Sequence, residues 1–316
     1  MLKTRYIAFL FFLTVSAVSG GGYTFVGEWP VEGDPEIITD RPFGLAIGPG
    51  GNVYLAYPLR HRINYYSPTG TLIEGWLTKC SVFGNEQSPF AVDVAPSGLF
   101  YTSFPVEGRI KYYTPTGTLL GEWGRWMTPY PSFRGGEAIA VGPNGYVYVV
   151  NVCGREIMYF TPEGSFLGKW NVKNFAEREI GYPTALAVSR EAGVYVTVDY
   201  LYSDPDKSKS YVQCFDASGS FLSMWDLAGP SNQNFSSASG VAVDQSGVVY
   251  VTDLLNHCVR YFTGTGSFLG AWGKEGTGRG EFRFPSDIDV APNGDVYILD
   301  FGNRRVQYFR RFSSTD

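Results

Sequence analysis

Only two histidines, His61 and His257, occur among the 316 residues. One chain therefore cannot supply the three histidines of a common type of catalytic zinc site. The four cysteines, Cys80, Cys153, Cys214 and Cys258, follow no metal-ligand spacing, and if oxidised they allow three pairings that sequence does not rank. Charge is sparse and leans negative, with 30 Asp and Glu against 25 Lys and Arg. Proteins that live on phosphate contacts carry the opposite excess, so nucleic acid is not an expected partner. No Gly-x-Ser-x-Gly elbow or phosphate-binding loop occurs, and the Gly-rich stretch at Gly276 leads into no helix. We therefore expect no cofactor. Long apolar runs are missing as well: the longest, Tyr6 to Val18, is thirteen residues, where a membrane span needs about 20.

That short run has a specific setting. Lys3 and Arg5 precede it and small residues follow, which is the order of a secretory signal peptide with cleavage after Ser19 or Gly20. Residues 1–20 are expected to be removed, leaving 21–316 as one domain with no transmembrane span. Localisation is then secreted or extracytoplasmic, at a cell surface or in a periplasm. Losing Lys3 and Arg5 moves the formal charge from −5 to −7.

What the chain does have is aromatics, glycine and a period. There are 22 Tyr, 23 Phe and 39 Gly, spread along the whole length. Trp stands at 29, 76, 123, 170, 225 and 272, and Tyr at 54, 101, 148, 195, 250 and 297. Both series step by 47 residues except for one step of 55. The surplus of eight lies between Tyr195 and Trp225, and "DYLYSDPDKSKS" at 199–210 is the insertion. Each unit reads as four short strands: an alternating run, a Gly turn, a strand bearing the Tyr, a strand ending in paired aromatics, and, after a turn such as "SPTG", a strand ending at the Trp. A unit that is apolar on both faces must stack on others, and a closed ring leaves none exposed. The sixth unit breaks off near Phe312, before its Trp. The orphan "YTFVGEW" at 23–29 supplies the missing strand. The expected fold is all-β: a six-bladed β-propeller of four-stranded antiparallel blades, the last closed by the N-terminal strand.

The stretch from Trp272 to Phe309, "WGKEGTGRGEFRFPSDIDVAPNGDVYILDFGNRRVQYF", resembles an NHL repeat, and "NHCVRYF" from Asn256 and "RHRINYY" from Arg60 show the same element. The resemblance covers residues 23–312. Propellers of this kind in cells can bind RNA, a role that the export signal and acidic balance oppose. Amidating lyases of similar repeat hold zinc with three His. Calcium-dependent lactonases place acids or amides at the top of the innermost strands, where this chain has Phe43, Phe90, Glu137, Thr184, Ser239 and Ser286.

In such a ring the tight Gly turns share one face, and the second-to-third and interblade loops share the other. Variable loops on a rigid scaffold concentrate binding residues. That face should carry Tyr57, Arg60, His61, Phe104, Arg109 and Trp126. It should also carry Tyr130, Arg155, Tyr200, Tyr202, His257 and Arg304. Arg62, Arg109 and Arg305 share one column that braces the third strand. Asp93, Asp287 and Asp289 fall near the tunnel, where they suit a cation or, more simply, water and backbone amides. Asp253 and His257 are an acid–base pair or part of the repeat signature. Cys214 replaces a Tyr and should be a buried thiol; a Cys80–Cys153 bridge has no support in spacing. Asn234-Phe235-Ser236 is a glycosylation sequon. The expected function is capture of a protein or glycan ligand by a monomeric propeller; the alternative is an extracellular lyase or hydrolase acting at the tunnel mouth.

Overall fold

The computed structural model describes residues 22–33, 37, 40–78, 88–124, 138–174, 181–191, 193–200, 209–228 and 237–312. They form six four-stranded antiparallel sheets, and no α-helix is present among them. We number these blades by their innermost strands: Gly44–Ile47 (I), Val92–Val94 (II), Ile139–Val141 (III), Gly181–Val188 (IV), Ala238–Val243 (V) and Pro285–Val290 (VI). In blades I to V the four strands follow in chain order; in blade VI the outermost strand is Tyr23–Pro30, paired antiparallel to Arg305–Arg311. The register runs from Tyr23 opposite Arg311 to Pro30 opposite Arg305. The two ends of the described chain thus share one sheet, as the unit count requires.

The second strands show why the fold needs a ring. In Val53–Tyr57, Val147–Asn151, Val249–Asp253 and Val296–Asp300 every residue is buried, because each strand has a neighbouring blade on both faces. The apolar core is accordingly divided into six clusters, one in each interface between adjacent blades. No single blade buries its own apolar side chains, so stability accumulates by stacking.

The Trp and Tyr columns lock each interface at the same place. The turn between third and fourth strands ends in Gly at φ between 85° and 95°, at Gly70, Gly117, Gly164, Gly219 and Gly266. On each of these lies the Trp of the preceding blade. A Cβ on Gly117 would stand 2.4 Å from the Trp76 ring, and one on Gly70 2.3 Å from Trp29. In four of these five turns the carbonyl two residues before the Gly accepts a hydrogen bond from the preceding blade's Tyr. Tyr101 donates to Pro162 (3.2 Å), Tyr148 to Ala217 (3.4 Å), Tyr195 to Gly264 (3.3 Å) and Tyr297 to Pro68 (3.1 Å). The indole N–H groups of the six Trp of the repeat column have no hydrogen-bond partner. These rings are therefore held by shape and aromatic contact, not by their polar edge.

Between blades V and VI the turn is replaced. Tyr23, 1% exposed, stacks on Trp272 with ring centroids 4.3 Å apart and planes at 18°, and its hydroxyl lies 2.7 Å from that of Tyr250. One side chain at the start of the closing strand thus meets both partners that elsewhere meet a turn.

The insertion is narrower than the sequence reading drew it. Asp199 pairs with Ser210 and Tyr200 with Lys209 in the extended hairpin of blade IV, so strand takes up both ends of 199–210. Residues 201–208 lie outside the described residues.

Two glycine substitutions separate the cost of backbone conformation from that of the Trp contact. Gly247 has φ 81° with nothing near its absent Cβ, whereas Gly117 has φ 85° and Trp76 in the way. Gly247→Ala should cost about 1–2 kcal/mol, for the left-handed backbone alone. Gly117→Ala should cost about 1–3 kcal/mol more, for the steric overlap. Urea unfolding of both variants checks the difference, and equal losses would contradict the role given to the Trp.

Candidate functional site

The innermost strands leave one backbone edge unpaired, and these edges line a central tunnel of about 990 Å³. Part of that edge is met by carboxylates. Asp93 accepts the amides of Val94 (2.7 Å) and Val141 (2.6 Å); Asp287 those of Ile288 (2.9 Å) and Leu45 (2.7 Å); Asp289 those of Val290 and Ile47 (both 2.7 Å). In each case one amide belongs to the Asp's own strand and the other to the next blade. These three residues therefore brace the blade II–III and VI–I seams. Among the described residues no cluster of three His, Cys, Asp or Glu is arranged to hold a metal ion.

Burial within the ring pushes Asp287 up to about 7. The same cause raises Asp93 and Asp289, and the Asp289 charge adds to the rise at Asp93; the bound amides oppose it. At the rim Asp199 is pushed up to about 6, again mainly by burial, although the Ser210 hydroxyl donates to it.

On the long-loop face the tunnel opens between unlike halves. Phe43 and Phe90 stand on the lip at blades I and II with ring centroids 5.2 Å apart, while Thr184, Ser239 and Ser286 hold the same column in blades IV to VI. Glu137 lies outside the described residues. Next to Phe43, at 5.2 Å, is the Phe301 ring, and the Arg41 guanidinium lies over it at 5.0 Å. Nη1 of Arg41 donates to the carbonyls of Phe301 (2.7 Å) and Gly302 (3.5 Å), and its buried Nε has no partner. Burial and the nearby Arg304 charge lower its pKa. The backbone of Arg283 packs against Gly302, whose amide donates to the Arg283 carbonyl (2.6 Å), and a Cβ on Gly302 would lie 2.8 Å from that of Arg283. Beside it Phe284 is 42% exposed and held at φ 51°, a conformation costly for a bulky residue. Its amide donates to Nδ1 of His257 (3.0 Å), and the two rings meet edge to face at 4.8 Å.

Apart from Arg60 and Arg109, which form ion pairs, the residues named from sequence divide into three groups. Tyr57, Phe104 and Tyr200 are each 1% exposed and belong to the packing beneath the face. Tyr57 pairs with the Tyr66 hydroxyl at 3.0 Å, the Phe104 ring carries the Lys111 ammonium at 4.9 Å, and Tyr200 donates to the Lys173 carbonyl. A second group shares a backbone role. His61, Arg155, His257 and Arg304 all have φ between 49° and 56° at the end of the second-to-third loop. The carbonyls of His61, Arg155 and Arg304 accept the amides of Thr78 (2.7 Å), Val172 (3.1 Å) and Val31 (2.9 Å). This column ties each loop to the start of the following interblade segment. Arg60 forms a bidentate pair with Asp40 at 2.7 and 2.8 Å. The third group, Trp126, Tyr130 and Tyr202, lies outside the described residues, as do Cys80 and Asn234-Phe235-Ser236.

Other sequence pairings resolve as bracing. Asp253 holds Asn256 and Arg260, both at 2.9 Å. Asp300 likewise holds Asn303 (2.9 Å) and Arg305 (2.8 Å), and Arg109 pairs with Glu122. Cys153, Cys214 and Cys258 are free thiols, Cys214 buried. Sequence reasoning missed Arg41, Arg283, Phe284 and Phe301. For Arg41, Arg283 and Phe284 the signal was the lead-in to the innermost strands, where "RPF" at 41–43 and "RFP" at 283–285 place Arg and Phe around a repeated Pro.

Two segments, 235–262 and 282–309, match the NHL repeat. No curated relative matches the sequence. Solved structures of similar fold include a virginiamycin B lyase from Staphylococcus aureus, at 13% identity over 91% of this chain and 88% of that one, with a TM-score of 0.58. A streptogramin B lyase is 12% identical over 90% and 97% of the two chains, also at 0.58. A chain of the mitotic checkpoint complex is 8% identical over 99% and 100%, again at 0.58. At these identities the likeness is one of fold alone.

The tunnel carboxylates give a pH signature. Their folded pKa values lie above the unfolded range, so their contribution is fully present below about pH 4 and fades as pH rises through about 7. Asp287→Asn sets an NH₂ against one of two donor amides, at a cost of about 1–3 kcal/mol at pH 5. The gap from wild type should narrow by pH 8, where the native carboxylate carries its own burial cost. Urea unfolding at both pH values checks this, and a variant as stable as wild type at pH 5 would contradict the bracing role.

Proposed function

We propose that this six-bladed propeller, with its NHL repeats in the last two blades, is an exported binding module that captures a protein or glycan ligand on its long-loop face. The supporting observation is Phe284. A bulky ring is kept 42% exposed on a left-handed backbone, directly after Arg283 and edge to face with His257. Such strain persists where function requires it, and exposed aromatics flanked by arginines are typical anchors of recognition. The opposite face is made of tight turns such as Ser67–Gly70 and Thr114–Gly117, whose side chains largely bond within the turn. Residues 1–20 direct export, and N-terminal sequencing of the mature chain should begin at Gly20 or Gly21.

A second reading has one observation in its favour. Asp199 lies on the hydroxyl-lined half of the mouth and titrates near 6, a value suited to acid–base work. In that reading the fold shared with streptogramin lyases extends to a lyase or hydrolase reaction at this rim.

Phe284→Gly discriminates between them. It should relieve backbone strain, raising stability by about 1 kcal/mol, and weaken capture of arrayed glycans or secreted proteins about tenfold. Unchanged capture would overturn the binding reading. Turnover of a captured ligand that disappears in Asp199→Asn would establish the enzymatic one.

A further inference from the structure

Both halves of the tunnel mouth line one cavity, and they differ in what they offer a ligand. In the closed ring blade I stands opposite blade IV and blade II opposite blade V, so Phe43 lies across the axis from Thr184 and Phe90 from Ser239. The two Phe rings are half-buried, 5.2 Å apart and tilted by 30°. They make one side of the mouth apolar. The other side consists of Thr184, Asp199, Ser237, Ser239 and Ser286, which line the same space.

That polar side accepts hydrogen bonds but has few left to give. Ser210 and Ser237 (3.4 Å) donate to Asp199, and Ser239 donates to the Pro285 carbonyl (2.7 Å). Thr184 and Thr197 share a hydrogen bond of 2.8 Å. Deeper in the tunnel the amides of Leu45, Ile47 and Val141 are taken by Asp287, Asp289 and Asp93. An ionised carboxylate has about four acceptor sites. Asp199 fills three of them, with Ser210, Ser237 and the Ala238 amide, which leaves room for one more donor. Charge points the same way. Arg190 is the only Lys or Arg among the described residues that line the cavity, and it belongs to the tight Ser189–Gly193 turn on the opposite face. A ligand suited to this mouth therefore donates hydrogen bonds, is not an anion and has an apolar part. The cavity, about 990 Å³, has the size of a small-molecule site.

We propose that the tunnel mouth binds an organic ammonium ion, its N–H groups held by Asp199 and the Ser237 and Ser239 oxygens and its apolar body lying against Phe43 and Phe90. Aromatic faces also attract a cation directly. A sugar suits this lining less well, because its hydroxyl oxygens need donors as much as its protons need acceptors. The site lies in the tunnel and not on the exposed loops, so it goes beyond the capture reading and holds whether or not Phe284→Gly alters capture. Burial pushes Asp199 up to about 6; the Ser210 and Ser237 hydroxyls and the Ala238 amide oppose that rise, and the Asp253 charge adds to it. Above that pH the carboxylate form dominates while an alkylamine is still protonated.

Titration calorimetry of the mature chain with phenylbutylamine, phenylbutanol, phenylbutyrate and cellotriose tests this. The amine should bind at least tenfold more tightly than the alcohol, and the acid should bind most weakly. Affinity for the amine should rise about tenfold from pH 5 to pH 7.5 as Asp199 ionises. Asp93, Asp287 and Asp289 titrate in the same tunnel, so Asp199→Asn assigns that rise: it should weaken the amine about tenfold at pH 7.5 and remove most of the pH dependence. Phe90→Ala should weaken amine and alcohol alike, about fivefold, and it decides the matter should Asp199→Asn fail to fold. Absence of amine binding, equal affinity for amine and alcohol, or full affinity in either variant would overturn the proposal. Tighter binding of cellotriose than of the amine would overturn its ammonium part.

Discussion

Blade is fastened to blade by one recurring compound contact: a Trp ring lies on a glycine at five of the six seams, and at four of these a Tyr hydroxyl is bonded to the carbonyl two residues earlier. The ring depends on it because individual sheets have no core of their own, and burial happens only between them. Glycine is required twice over, by a φ near 90° and by the absence of room for a methyl group beside the indole. The contact therefore fixes distance and angle between successive blades. Repeated around the circle, it sets where the last blade meets the first.

At that meeting point the chain cannot repeat the turn, since blade VI takes its outer strand from residues 23–30. Tyr23 reaches Trp272 and Tyr250 instead. A second set of seam contacts works from the tunnel side, where Asp287 and Asp289 reach the amides of Leu45 and Ile47 between blades VI and I. Blade VI is thus held at its rim by aromatic stacking and at its inner edge by hydrogen bonds from backbone amides to two buried carboxyl groups. With the frame so constrained, the long-loop face can tolerate strain such as that at Phe284 without losing the fold. A rigid frame around a strained lip is the arrangement that recognition requires.

Much of the architecture was legible because its causes are periodic. Trp and Tyr recur at one spacing since five of the six interfaces repeat the Trp-on-glycine contact, and the single longer step reports the extended hairpin of blade IV. The candidate site was much less legible. Tyr57, Phe104 and Tyr200 sit at the ends of second strands, and only the neighbouring blade shows that they are covered. His61, Arg155, His257 and Arg304 looked like variable surface residues, but their shared property is a left-handed backbone, which a side-chain pattern does not reveal. Arg41 and Phe284 occupy the same repeat position, just before the Pro, where other blades carry Ser88, Tyr182 and Ser237. Variation at a fixed register was the available signal. Its meaning came only when the loops of blades VI and I met at Gly302.

The account turns on Tyr23 acting as the substitute for a missing turn. Equilibrium unfolding of Tyr23→Phe and Tyr23→Ala measures this most directly, since the first removes only the hydroxyl and the second also removes the ring. Losses of about 1 kcal/mol for the phenylalanine variant and about 3–5 kcal/mol for the alanine variant are the predicted result. An alanine variant within about 0.5 kcal/mol of wild type, as for an ordinary surface substitution, would contradict closure by this residue.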